Sequence, residues 1–381
     1  MEIVSLIPLD QYEAPSLPTQ ERMQALVAKL KAMFLARNNT DVIANERASL
    51  ESLQRLDEMI QEPECEPQVG ELDEAAEQWL ARPAARGTVL AVITPPCDQS
   101  DSFLNWARGS GHLCIAPPVS RSGPVDWARL KTSTSDKIVI VPQLEQWFLR
   151  SAEGLDRIRK LMAVLGSARH AIVGCNSFAW AYLAKAIRID LIAPGPFTFK
   201  PMDGERLATW LAQVSQSDPV TETTFRLIGS ETALLRDRTN PGVQKFFATL
   251  AGRSLGIPSV AWHMWRETLR IDGAYGMTTG SQGAHSQQRA NYWVASLEEL
   301  ILPGTYPREL LFALHTLCLH GGMRGADLAD NMPETPGAAL IPALRGSQFV
   351  QEVEGILRIR PEAYPAIRNG LRSSGFPIGA I

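Results

Sequence analysis

In the middle third of the chain, apolar residues occur in short continuous runs that are separated by longer amphipathic segments. Continuous runs rich in Val and Ile are typical of strands buried on both faces of a parallel sheet. They predict strands at residues 89–94, 113–116, 138–141, 171–174 and 197–199. Helices are predicted to start between or after these strands, near Asp98, Leu144, Ser177 and Gly204. This alternation predicts an α/β fold with a parallel sheet.

Before the first strand, two runs of apolar residues have helical spacing. The first run contains Leu26, Leu30 and Phe34, and the second contains Leu50, Leu53, Leu56 and Ile60. A polar turn at 38–41 separates them, and two helices joined by a short loop pack as antiparallel neighbours. Residues 1–69 are therefore predicted to form a helical hairpin. It serves either as a brace packed on the next domain or as an arm that binds a partner.

The pattern changes again after the last strand. Residues 204–270 are predicted to be mostly helical, and the polar, glycine-containing segment 272–289 is predicted to be an exposed loop. From 303 to 381 the pattern predicts three helices, two strands around Gly355 and a last helix, which is the order of a winged helix. The predicted domains are thus 1–69, 70–203, 204–302 and 303–381.

Composition and charge exclude several classes of protein. Of the 381 residues, 45% are hydrophobic and 20% charged, as in ordinary globular proteins. The net charge of −4 gives no overall attraction to nucleic acid or to anionic lipid. The five cysteines form no CxxC pair and the six histidines form no HxxxH pair, so we expect neither a disulfide framework nor a metal site. Without a signal sequence or a long apolar run, the chain is expected to be cytoplasmic, with no direct membrane insertion.

The loop after the first predicted strand of the sheet lies where a nucleotide-binding protein has its phosphate loop, G-x-x-x-x-G-K-[ST]. On that pattern Thr94 and Gln99 stand at the glycine positions, Ser100 at the lysine and Asp101 at the hydroxyl residue. The strand–loop–helix framework is therefore predicted, without the residues that carry its chemistry.

Each departure from the phosphate-loop pattern weakens anion binding. Glycines let successive backbone N–H groups curl around a phosphate, and a lysine offsets its charge. Pro95 and Pro96 have no N–H to donate. Asp98 and Asp101 would bring negative charge beside a polyanion. We therefore expect this loop not to bind ATP tightly.

The order of an α/β core, a helical region and a winged helix resembles the AAA+/STAND group of P-loop ATPases, from about residue 70 to the C-terminus. The resemblance implies that 70–203 is a degenerate P-loop NTPase-like core and that 204–302 is a helical lid. It implies a degenerate nucleotide site in the loop, at Pro96, Ser100, Asp101 and Ser102. Gly256 and Pro258, in a Gly-Ile-Pro sequence, match the lid motif that lies against adenine in STAND proteins.

The resemblance also suggests where catalytic groups would lie. After strand 138–141, Pro142 stands in place of the magnesium-binding aspartate of the Walker B element, and Glu145 is near enough to match its glutamate. Asn176, after strand 171–174, stands where the group has a polar residue that senses the γ-phosphate. No residue is assigned as catalytic beyond these two matches.

Together these features predict a non-hydrolysing pseudo-ATPase that acts as an adaptor or regulator, with protein partners bound through the N-terminal helices and the winged helix. Two alternatives remain: an active ATP-binding switch with an atypical phosphate loop, or a winged-helix regulator that binds DNA. The helix at 335–345 carries one arginine, Arg345, and the wing carries Glu352 and Glu354. Since base readout needs Arg, Lys, Asn or Gln on that helix, protein contact is favoured over DNA.

Overall fold

A computed structural model describes most of the chain after the predicted N-terminal hairpin. The described residues are 6–19, 69–81, 87–97, 101–215, 222–228, 230, 232–271, 289–302, 307–332 and 339–381. Both helices of the predicted hairpin, Ser100 and the predicted loop at 272–288 lie outside these ranges. None of the helices in the described ranges combines the length and the apolar character needed to cross a bilayer.

Contacts divide the chain into two compact units. The first comprises Met1–Glu13, Cys65–Pro201 and Thr305–Ile381, and the second comprises Ala14–Glu64 and Met202–Gly304. The α/β core and the C-terminal segment therefore belong to one unit. The finer four-part division at 69, 203 and 302 stays a prediction.

The first unit is built on a six-stranded sheet in the order β1-β6-β2-β5-β4-β3. Its strands are β1 (Leu6–Pro8), β2 (Thr88–Thr94), β3 (Leu113–Cys114), β4 (Ile138–Val141), β5 (His170–Asn176) and β6 (Phe197–Phe199). All neighbours run parallel except β1 and β6. The predicted α/β fold with a mostly parallel sheet is thus confirmed. Strand β1 was not predicted.

The centre of the sheet is formed by the most apolar strands. β2 and β5 pair over their full lengths, from Thr88 opposite His170 to Thr94 opposite Asn176. The VLAVI run of β2 and all of β5 are buried, because helices cover both faces of a parallel sheet. This register brings the carboxyl ends of β2 and β5 to the same level.

Helices of this part are α1 (Val69–Leu80), α2 (Ser102–Gly109), α3 (Trp127–Thr134), α4 (Ala152–Leu165), α5 (Ser177–Ile187) and α6 (Ile189–Ile192). The predicted start at Ser177 is confirmed. The start near Leu144 is wrong, because only a 3₁₀ turn, Leu144–Gln146, forms there. The α-helix begins only at Ala152, after the Ser151 hydroxyl, which accepts a hydrogen bond from the N–H of Gly154 at 3.1 Å and caps α4.

The second unit contains α7 (Gly204–Ser215), β7 (Glu222–Leu227), α8 (Pro241–Arg253), α9 (Pro258–Thr268), β8 (Leu269–Ile271) and β9 (Arg289–Val294). The start of α7 at Gly204 is as predicted. The prediction of a mostly helical segment is wrong in one respect, because β7, β9 and β8 form a sheet. Buried Phe225 on β7 stacks on Tyr292 of β9, with ring centroids 5.4 Å apart. Arg289, predicted to end the loop, begins β9.

The C-terminal segment contains α10 (Arg308–His320), β10 (Met323–Arg324), α11 (Gly325–Asp330), α12 (Leu340–Arg345), β11 (Val350–Val353), β12 (Ile356–Ile359) and α13 (Tyr364–Ser373). Its three strands form an antiparallel sheet in the order β10-β12-β11. Three helices, a strand pair and a last helix are consistent with the predicted winged helix. The short strand β10 was not predicted.

Candidate functional site

The candidate site lies at the edge of the large sheet where the parallel strands end. Ligands of open α/β sheets bind outside the carboxyl ends of the strands. Here the residues that follow β2, β4 and β5 surround a small cavity, with Pro96, Asp101, Glu145 and Asn176 in its wall. The sheet therefore brings together those site residues that the sequence predicted in three separate segments. Gly321, from the C-terminal segment, completes the wall.

The cavity is far smaller than a nucleotide site. Its volume is about 30 Å³. A space of this size holds one or two water molecules, whereas small-molecule sites commonly exceed about 300 Å³. The enclosed part of this cavity, as the described residues line it, is therefore smaller than a nucleoside triphosphate.

Asp101 occupies a strained position at the start of α2. Its φ of 49° lies in the left-handed region, which L-residues other than Gly rarely adopt. The side-chain amide of Gln143 donates to Oδ1 of Asp101 at 2.8 Å, and Nη1 of Arg358 on β12 lies 4.0 Å from the same oxygen. The carboxylate is therefore engaged by protein groups. Pro96 and Ser102, on either side of it in sequence, are buried.

Glu145 is a buried carboxyl group in the 3₁₀ turn after β4. Its side chain is 7% exposed, and its Oε2 accepts a hydrogen bond from the backbone N–H of Asn176 at 3.1 Å. Burial raises the pKa of Glu145 to about 7, although that hydrogen bond and the charge of Arg121 act in the opposite direction. Near neutral pH the group is thus poised between its two protonation states.

Asn176 uses both ends of its side-chain amide within the protein. Its Oδ1 accepts from the N–H of Ala179 at 2.8 Å, which caps α5, and its Nδ2 donates to the carbonyl of Leu319 at 3.0 Å. The residue that matches a phosphate sensor therefore joins α5 to the end of α10 in this conformation.

The last turn of α10 lies over this edge. Nη2 of Arg121 donates to the carbonyls of His320 and Gly322 at 3.1 and 2.8 Å, and Nδ1 of His320 donates to the backbone oxygen of Glu145 at 3.2 Å. Helix ends leave carbonyls without intrahelical partners, and a cation there also offsets the negative end of the helix dipole. Arg121 supplies both the hydrogen-bond donor for these carbonyls and the cation that offsets the dipole. We call these bonds, together with the Asn176–Leu319 bond, the docking contact.

Gly322 allows this close approach. Its φ of 112° favours glycine, and a Cβ at this position would lie 2.7 Å from Cγ of Arg358 and 3.0 Å from the carbonyl of Leu357. The Gly-Gly pair after α10 is thus a C-cap that lets β12 pack against the end of the helix.

Three residues of this site were missed by sequence reasoning: Arg121, His320 and Arg358. Arg121 lies in the loop between β3 and α3, far in sequence from the residues that it contacts. The cap at Gly321 gave a signal for the end of α10, but nothing in the sequence indicated which part of the chain would bind its carbonyls.

Gly256 and Pro258 lie in the second unit, between α8 and α9. Gly256 has a φ of 75°, its N–H donates to the carbonyl of Ala251 at 2.9 Å, and its own carbonyl accepts from Met202 at 2.9 Å. Pro258 is buried in the first turn of α9, where proline needs no hydrogen bond. A tight helix–helix turn accounts for both residues, and their contact with adenine stays a prediction.

The residues at the edge of the large sheet do not fit ATP in this conformation. Asp101 would repel the phosphates, and the prolines offer no N–H groups to bind them. For a metal ion, the described ranges contain no group of three or more His, Cys, Asp or Glu side chains.

No family model and no curated protein matches the sequence. Among solved structures, the chain is similar to Drosophila ORC bound to DNA (TM-score 0.31, 11% identity, covering 92% of this chain and 99% of that one). It is also similar to the Aeropyrum pernix ORC2 protein in its ADPNP–ADP complexes (0.28, 14%, 97% and 99%) and to Cdc6p from Pyrobaculum aerophilum (0.22, 13%, 88% and 97%). The chain is thus distantly similar in structure to ORC and Cdc6 proteins.

Proposed function

We propose that this chain is a non-hydrolysing adaptor or regulator, a pseudo-ATPase that acts through protein contacts. One observation carries the proposal. The side-chain amide of Asn176, which matches a phosphate sensor, donates to the carbonyl of Leu319 at the end of α10, and the carboxyl group of Glu145, which matches an ATPase glutamate, accepts from the backbone N–H of Asn176. Groups engaged in this way support the packing of the winged helix on the sheet.

The chemistry of hydrolysis gives the physical reason. A catalytic carboxylate must be ionised and must reach the attacking water, and a cation must offset the charge that develops on the phosphates. Glu145 is buried with a pKa of about 7, and its Oε2 is occupied by the N–H of Asn176. In the loop that matches the phosphate loop, Ser100 stands where the lysine would supply a cation, and Asp101 at the next position adds negative charge.

The proposal is tested by measuring ATP affinity and turnover on the full chain with Mg²⁺, by calorimetry and by phosphate release. We expect neither binding at micromolar ATP nor turnover above background, and the same result for Glu145→Gln. Micromolar binding that weakens in Glu145→Gln or Ser100→Ala would overturn the proposal in favour of an ATP-binding switch.

The charge distribution of the winged helix supports a protein partner over DNA. Arg345, the arginine of the helix that would read bases, is bound by Glu352, with Nε–Oε2 and Nη2–Oε1 distances of 2.6 and 3.0 Å. Val353 beside it is 48% exposed, and Glu354 follows at the turn. A neutralised arginine flanked by acidic and apolar side chains suits a protein surface better than a phosphate backbone. Co-purification from native cells would identify the partner.

A further inference from the structure

The docking contact contains two ionisable groups that lie on opposite sides of it. Glu145 belongs to the turn after β4, and His320 is the last residue of α10. They are joined by the 3.2 Å bond from Nδ1 of His320 to the backbone oxygen of Glu145. His320 is completely buried, and among the residues that the structure describes its second ring nitrogen, Nε2, has no hydrogen-bond partner.

The carboxyl group of Glu145 is enclosed by the turn that ends α10. A Cβ built on Gly321 would lie 3.8 Å from both Cγ and Oε1 of Glu145. If the last turn of α10 left the sheet edge, water would reach both Glu145 and His320. The proton affinity of each group therefore differs between the docked and the released arrangement.

Other charged groups around the pair come from several elements. Arg121 acts on both groups, Asp101 acts on Glu145 from the start of α2, and the Cys175 thiol on β5 interacts with Glu145. Arg358 lies beyond Asp101, and Arg150 and His315 act on His320 from the turn after β4 and from α10.

We propose that the docking contact tightens when Glu145 gains a proton and loosens when His320 gains one, so that the two groups oppose each other and keep the winged helix docked across the neutral range. This inference concerns the contact itself and goes beyond the absence of ATP hydrolysis. A chain holding such a pair resists release by a change of pH and leaves release to a binding partner.

The directions follow from burial. Burial raises the pKa of Glu145 from 4.5 to about 7, so docking is fully favoured below 4.5 and weakens as the pH rises towards 7. Burial, followed by the charge of Arg121, lowers the pKa of His320 well below 6.5, so docking weakens as the pH falls below 6.5. Between about pH 4.5 and pH 6.5, a rise in pH therefore weakens docking through Glu145 and strengthens it through His320.

The experiment is hydrogen exchange of the full chain, measured by mass spectrometry at about pH 5.5 and about pH 7.5 and corrected for intrinsic exchange. The segments compared are 316–323, at the end of α10, and 118–123, around Arg121. Four proteins are needed: the unchanged chain, Glu145→Gln, His320→Asn and the double variant. Gln keeps an acceptor for the N–H of Asn176, and Asn keeps a donor near Nδ1. All four keep His315, so the double variant serves as the reference for every other charge.

We compare the opening equilibrium constant of segments 316–323 and 118–123 in each variant with that in the double variant. In His320→Asn this ratio should rise about twentyfold from about pH 5.5 to about pH 7.5, since Glu145 is then the member of the pair that titrates. In Glu145→Gln it should fall about tenfold over the same interval, since only His320 titrates. The unchanged chain should vary by less than about threefold. Segment 158–165 of α4 should not respond.

The proposal is overturned if both single variants follow the double variant at both pH values. It is also overturned if α4 responds as strongly as the end of α10, because the titration would then act on the whole unit. If Glu145→Gln does not fold, the ratio of the unchanged chain to His320→Asn still isolates His320, and a ratio that does not change with pH rejects its role.

Discussion

The side-chain amide of Asn176 donates to the carbonyl oxygen of Leu319 at 3.0 Å, while its other end caps α5. One residue thus ends a strand of the large sheet, begins a helix and holds the winged helix. The contributions of the helix cap and of the bond to Leu319 to the free energy of unfolding can be measured separately.

Replacing Asn176 with Ala should lower the free energy of unfolding by about 2–4 kcal/mol, because the helix loses its cap and the buried Leu319 carbonyl loses its donor. Asn240→Ala is the matched control, since Asn240 caps α8 through the N–H of Gly242 at 2.8 Å. It should cost about 1 kcal/mol. Urea unfolding measures both, and equal costs would contradict a role of Asn176 in the docking contact.

The contribution of Arg121 to the docking contact can also be measured by substitution. Its guanidinium is deeply buried and donates to two carbonyls of the C-terminal segment. Arg121→Ala should lower the free energy of unfolding by about 3 kcal/mol and expose the end of α10 to proteolysis. Arg121→Lys should recover less than half of the loss, because an ammonium group cannot reproduce the fork of donors.

Arg157→Ala is the control for the loop, since Nη2 of Arg157, on α4, donates to the carbonyl of Gly123 at 2.6 Å. It should destabilise the loop and leave the end of α10 protected. If Arg157→Ala exposes α10 as much as Arg121→Ala does, the effect of Arg121 acts through the loop and the direct bonds are unimportant.

Restoring the residues of the phosphate-loop pattern tests whether their loss alone prevents ATP binding, or whether the end of α10 also prevents it. We expect Thr94→Gly, Gln99→Gly, Ser100→Lys and Asp101→Thr, combined, to leave ATP affinity undetectable at micromolar concentration, because the end of α10 still covers the site. Adding Arg121→Ala to the rebuilt loop should raise the affinity at least about tenfold. Calorimetric titration measures both proteins, and tight binding by the loop variant alone would show that the cover is irrelevant.

His315 should make the first unit sensitive to acid. Its Nε2 donates to the carbonyl of Pro377 at 2.9 Å, and burial lowers the pKa of His315 to about 4. A neutral buried histidine contributes stability that is complete above its ordinary pKa of 6.5 and is lost as the pH falls towards 4.

Changing His315 to Gln, which keeps a donor near Nε2, should remove up to about 3 kcal/mol of that acid sensitivity. Urea unfolding at several pH values between these limits gives the comparison. An unaltered slope in His315→Gln would rule out His315 as the source of the acid sensitivity.

The α/β fold could be predicted from sequence because each strand of the parallel sheet is a local signal. The runs VLAVI and IVIV are long enough to identify buried strands without knowledge of their neighbours. The second sheet was missed since β7 pairs with β9, which lies more than sixty residues further along the chain. The alternating ETTFRL sequence of β7 was the signal that could have revealed it.

The candidate site could be predicted only where it follows the ends of strands. Glu145 and Asn176 were found because Glu145 lies in the turn that follows β4 and Asn176 is the last residue of β5. Arg121 and His320 meet them only when the winged helix docks, and a single sequence carries no record of such contacts. The energetic roles of Asn176, as a cap and as a bridge, likewise depend on that packing.

The docking contact also bears on how the protein can be divided. A fragment ending at the predicted domain boundary of 302 would retain the sheet but lose the end of α10, which lies over its carboxyl edge. Arg121 and Asn176 would then face solvent together with apolar surface that α10 normally covers. Such a fragment would be prone to self-association, so deletion studies of this chain should keep residues 305–381 joined to the sheet and remove surface segments instead.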